Sequence, residues 1–100
     1  MIAKDMEGTL CGEKHGGIHA ISPDGRNWRL SDQPKAYSRT VRWDDGTTQT
    51  MGNFERPFLL FHDGRPTHLF AAVSDGTGGF RQATNTWNMV IPLRSGEGRA

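Results

Sequence analysis

Cysteine occurs once, at Cys11, so no disulfide can form within the chain, and a lone thiol usually packs as a small hydrophobe. Long apolar runs are missing too. None approaches the ~20 residues that a membrane-spanning helix needs. The opening Met1-Ile2-Ala3-Lys4-Asp5-Met6-Glu7 turns charged at once, unlike a secretory leader. No charge of one sign predominates. The 12 basic and 11 acidic residues give a formal net charge of +1, and no Lys/Arg stripe marks a nucleic-acid face. Neither nucleic acid nor membrane is therefore expected as a partner. The apolar share is low, at 34% of 100 residues, which predicts one domain with a small core that a partner surface would support.

Glycine, by contrast, is plentiful, at 13 residues. It costs roughly 1 kcal/mol in a helix interior, and no segment shows helical periodicity. Asp-Gly occurs at Asp24-Gly25, Asp45-Gly46, Asp63-Gly64 and Asp75-Gly76. This dipeptide accepts the positive φ angles of tight hairpin turns. The flanking segments predict strands over 17–22, 27–30, 37–43, 47–51, 57–62, 66–74 and 86–93. Asp32-Gln33-Pro34-Lys35 reads as a loop. Gly76-Thr77-Gly78-Gly79 reads as a turn, since it lacks the Lys-Ser/Thr of a phosphate-binding loop. Phe58-Leu59-Leu60-Phe61 and Leu69-Phe70-Ala71-Ala72-Val73 are apolar on both strand faces, which predicts layers packed on both sides. The expected fold is all-β with antiparallel sheets, as a single β domain over 1–94 and a flexible tail over 95–100. Each half pairs an Asp-Gly hairpin with a downstream tryptophan, in the manner of two copies of one unit.

The stretch Ser22-Pro23-Asp24-Gly25-Arg26-Asn27-Trp28-Arg29-Leu30 resembles a signature of five-bladed β-propeller glycoside hydrolases of the family 43 and family 117 type. In that signature a strand ends in Ser-x-Asp-Gly and a tryptophan opens the next strand. The segment from Glu55-Arg56-Pro57-Phe58-Leu59-Leu60-Phe61 to Val73 is similar to the last blade of those enzymes. Lys4-Asp5-Met6-Glu7-Gly8 with Glu13-Lys14-His15-Gly16-Gly17 is similar to the blade before it. The resemblance covers nearly the whole chain and implies about two blades, since a blade takes on the order of 40–60 residues. It also implies a catalytic aspartate on a first blade that has no counterpart in these 100 residues. A glycoside hydrolase-like fragment, inactive alone, is the expectation, because glycoside hydrolysis generally needs two flanking carboxyl groups. The alternatives are a carbohydrate-binding or interaction module, and an oligomeric glycosidase whose copies share a site. Open blade edges predict a homo-oligomer, most simply a two-fold dimer.

His15 stands beside glycines that permit close approach. A histidine side chain can titrate near neutrality, and the resemblance implies a histidine general acid in some relatives. Glu13 is its expected orienting partner. The competing readings are a histidine held by hydrogen bonds at the propeller axis and a solvated loop carboxylate. Asp5 and Glu7 share one strand face, as carboxylates for acid–base chemistry or for binding a cation, or as an exposed edge. Arg56, with Glu55, is either a fork for sugar oxygens or a surface ion pair. Among the tryptophans, Trp43 beside Asp44-Asp45 is the one expected to be exposed and to stack on sugar, with Trp28 and Trp87 packed inside. His19 and His68 read as ordinary strand histidines. The four histidines lack a metal-site spacing, and no cofactor signature is present.

Overall fold

A computed structural model describes residues 1–76 and 78–94. The expected tail over 95–100 lies outside the described residues. Strands β1 (Ile2–Asp5), β2 (Gly16–Ile21) and β3 (Arg29–Tyr37) form one antiparallel meander. Strands β4 (Thr40–Arg42) and β5 (Thr48–Thr50) form a two-stranded hairpin. Strands β6 (Asn53–His62), β7 (Arg65–Ser74) and β8 (Thr86–Pro92) form a second meander. One short 3₁₀ turn, Gly79–Gln82, lies between β7 and β8. The fold is all-β and antiparallel.

The Asp-Gly sites divide into two kinds. Asp63 and Gly64 have φ of 51° and 78° between paired His62 and Arg65, which is a two-residue hairpin. Gly46 closes the β4–β5 hairpin through its N–H to the Trp43 carbonyl. Asp24 and Asp75 instead organise longer loops with their carboxylates. Asp24 accepts from the Arg26 and Asn27 N–H groups. Asp75 accepts from the backbone and side chains of Thr84 and Asn85. These donors, the Asn85 N–H foremost, hold the Asp75 carboxyl well below its ordinary range.

Several strand boundaries differ from expectation. Residues 2–5 form β1, and residues 32–35, expected as a loop, lie within β3. Pairing jumps from Ile18↔Lys35 to Ala20↔Leu30, so residues 31–34 are an irregular excursion of an edge strand. Pro34 needs no ladder N–H there. Strand β6 starts at Asn53 rather than Pro57. It carries a bulge in which Arg56 and Pro57 oppose a single β7 residue, between the pairs Glu55↔Ala72 and Phe58↔Phe70. The Gly-rich turn ends in the 3₁₀ segment; its Thr77 lies outside the described residues.

The main core cluster gathers Tyr37, Val41, Met51, Phe54, Leu69, Ala71, Val73 and Met89. Phe54 and Met51 are fully enclosed. The Tyr37 ring lies against Phe54 with centroids 4.7 Å apart, and it covers Gly17 so closely that a Cβ there would fall 2.1 Å from the ring. At Gly52 a Cβ would meet the Gly76 carbonyl. These two glycines are required by backbone and ring approach, not by turns.

Among the described residues only one face of the second sheet is covered. Leu69, Ala71, Val73 and Met89 point into the core, while Phe58, Leu60, Phe70 and Val90 are exposed. The expectation of layers on both sides is not met by the described residues of one copy.

Candidate functional site

The segment between β1 and β2, residues 6–15, is built around Asp5. Its carboxylate accepts from the N–H groups of Gly8 (3.1 Å), Leu10 (2.9 Å) and Cys11 (2.9 Å). Burial opposes its charge, but the Cys11, Leu10 and Gly8 donors prevail and hold the carboxyl below its ordinary value. Asp5 is buried, and Glu7 sits past the end of β1. The two carboxylates therefore do not form the shared face read from the sequence, and Asp5 is a loop organiser. The half-buried Cys11 thiol donates to the Glu13 carbonyl at 3.4 Å.

His15 closes this loop. Its N–H donates to the Asp5 carbonyl at 2.8 Å, and its backbone sits at φ 64°. Left-handed backbone is uncommon outside glycine. The expected partnership with Glu13 does not form. Glu13 turns away, accepting from Ser38 Oγ (2.6 Å) and the Arg39 N–H (2.9 Å), with Lys35 Nζ at 2.9 Å. Burial raises the Glu13 pKa, yet these three partners outweigh it and hold it at about 2. They were bound to be missed, because Lys35 to Arg39 approach Glu13 only once β3 folds back onto β2.

His15 lines a cleft of about 510 Å³ with Lys4, Lys14, Arg39 and Asn53. Its Nδ1 is buried and has no hydrogen-bond partner among the described residues, and the same is true of Arg39 Nε. The nearest anion to that nitrogen is Glu13, at 3.8 Å, too far for a hydrogen bond. Burial, followed by the charges of Lys4, Lys14 and Arg39, lowers the imidazole pKa; Glu55 acts in the opposite sense. Tyr37 Oη is a third buried group without a partner, and burial pushes its pKa up to about 12.

A second cleft, of about 440 Å³, is lined by Asn53, Glu55, Arg56, Thr86, Trp87 and Asn88. Asn53 lines both clefts and is fixed by its Nδ2 donating to buried Ser74 Oγ at 2.8 Å. The ion pair Lys4–Glu55, at 2.7 Å, spans the boundary, with one partner in each cleft. Glu55 is thus paired with Lys4 and not with Arg56. Exposed Arg56 holds φ 55° in the β6 bulge, a device that re-aims a side chain.

Trp43 is not the exposed tryptophan. Its ring is half-buried against the core and donates Nε1–H to Gln49 Oε1 at 3.1 Å. Trp28 is the exposed one, at 47%, folded over its own turn onto the Gly25 carbonyl. Trp87 is half-buried and lines the second cleft. Lys4, Lys14, Arg39 and Asn53 were not singled out from the sequence. The one visible signal was Lys14 beside His15. Among the described residues no group of three or more His, Cys, Asp or Glu converges as metal ligands, and no helix is long and apolar enough to cross a membrane. Comparison with protein-family models, curated proteins and solved structures finds no match for this chain.

Proposed function

We propose that this chain is a carbohydrate-binding portion of a glycoside hydrolase-like β-propeller, holding a sugar across the His15 and Arg56 clefts without hydrolysing it alone. One observation carries the reading. Among the described residues three non-glycine residues hold positive φ: His15, Arg56 and Asp63. Asp63 belongs to a hairpin turn. The other two each line one of two clefts that share Asn53, and strained backbone of this kind collects at ligand sites.

The carboxylates argue for binding over hydrolysis. Asp5 is enclosed by its loop, Glu13 is held by Ser38, Arg39 and Lys35, and Glu55 is paired with Lys4. None is left unpartnered to serve as the acid that glycoside hydrolysis uses. In this reading each three-stranded meander is a blade one strand short of four, and a second copy covers the exposed apolar face. Copies sharing a catalytic site would supply the second carboxyl group from a neighbour.

Glycan-array screening followed by titration calorimetry tests the reading. His15→Ala and Arg56→Ala are each expected to weaken sugar binding about tenfold or more, in line with the ~1.4 kcal/mol typical of a lost polar contact. Flat binding curves across the array remove it.

A further inference from the structure

We infer that the His15 cleft receives an oxyanion, the carboxylate of an acidic sugar. This rests on the carbohydrate reading above and names the class of sugar. Three cations, Lys4, Lys14 and Arg39, line the cleft, and no carboxylate lines it among the described residues. Glu55 and Glu13 stand behind two of them, on Lys4 and Arg39. Lys14 has no ion-pair partner among the described residues and is exposed. Glu13 is also shared with Lys35, so four cations meet two carboxylates and the local balance is positive.

Two buried nitrogens on residues lining this cleft, His15 Nδ1 and Arg39 Nε, lack hydrogen-bond partners among the described residues. Buried polar groups are nearly always paired. Both belong to residues that line this open, cationic cleft, which is a place for an acceptor with several lone pairs. A carboxylate supplies two acceptor oxygens and a compensating charge. The arginine fork suits its planar geometry.

The rest of the cleft decides the source of that carboxylate. A volume of about 510 Å³ far exceeds an inorganic oxyanion and falls in the usual range of small-ligand sites, ~300–1,000 Å³. The neighbouring cleft, which shares Asn53, is lined by Arg56, Trp87 and Asn88, which offer a guanidinium, part of an indole and an amide to the remainder of a sugar chain.

Calorimetry at low salt with galacturonate and glucuronate oligosaccharides, their neutral galactose and glucose counterparts, and inorganic sulfate tests the inference. The intact chain is expected to bind the acidic sugars at least tenfold more tightly than the neutral ones. Lys14→Met, at an exposed position, is expected to remove most of that difference with an unchanged melting temperature. Bound acidic sugar is also expected to raise the His15 imidazole pKa in an NMR titration, an effect that neutral sugar lacks. Equal binding of neutral and acidic sugars, unmoved by Lys14→Met, overturns the inference and leaves the carbohydrate reading standing. Binding of sulfate with no sugar bound overturns both and leaves a plain anion site. No binding by any probe likewise overturns both.

Discussion

Glu13 shows how a residue's role follows from what folds back onto it. Adjacency to His15 suggested a catalytic pair, but the carboxylate is taken by Ser38, Arg39 and Lys35. It therefore ties the 6–15 loop to the β3–β4 junction. Glu13→Gln keeps the shape and loses the charge. It is expected to cost about 2 kcal/mol, the scale of hydrogen bonds to a charged group, as measured by urea unfolding. The pH dependence has a definite sign. A folded pKa of about 2 against an ordinary 4.5 gives stability that is fully present above pH 4.5 and lost as pH falls toward 2. The Gln variant is expected to lack this component. The candidate residues were legible singly, as His15 and Arg56 beside unusual neighbours. Their company was not, because Lys4 reaches His15 through β-pairing and Arg39 through the fold of β3.

At the scale of elements, turn chemistry was the most readable feature. Asp63-Gly64 forms the hairpin its sequence demands, because both positions need positive φ and those two residues accept it at low cost. Gly64 has open space around its Cβ position, so Gly64→Ala tests conformation alone. It is expected to destabilise by about 1 kcal/mol through the left-handed backbone, while Asp63→Asn is nearly neutral; thermal melts of both variants check this. Asp75-Gly76 carries the same dipeptide and makes no tight hairpin, since Thr84 and Asn85 capture the Asp75 carboxylate across a longer loop. Local sequence specified a bend there and long-range hydrogen bonding chose its size. Pro34 and Pro57 misled in the other direction. Each interrupts a strand pattern, yet each sits at an irregularity of an edge strand where its missing N–H costs no ladder bond.

For the whole molecule, the open question is the second face of the β6–β8 sheet. Phe58 is 65% exposed, Phe61 56% and Val90 50%, a density of apolar surface that monomers rarely leave open. A second copy presents the same surface, so a two-fold contact buries both at once. Light scattering over a range of concentrations is expected to give a closed oligomer. Phe58→Glu is expected to shift it to monomer, since each pairing would bury unpaired charges. A monomer in the unaltered chain removes the oligomer from the proposal. Phe54 provides the contrast. It is wholly enclosed, so Phe54→Ala is expected to cost roughly 3–5 kcal/mol in one copy, whatever the assembly.

By itself the sequence determined the class of fold. Scarce apolar residues, abundant glycine and β-branched or aromatic segments between Asp-Gly pairs leave antiparallel sheets as the way to satisfy backbone hydrogen bonds. It also marked His15 and Arg56 as candidates, while their left-handed backbone emerged only from the structure. The tertiary structure decided which carboxylates are spoken for, which tryptophan is exposed, and which cations gather around His15. Those are outcomes of pairing between distant strands. Register is fixed by burial of Tyr37, Phe54 and their neighbours, and no local pattern carries that information.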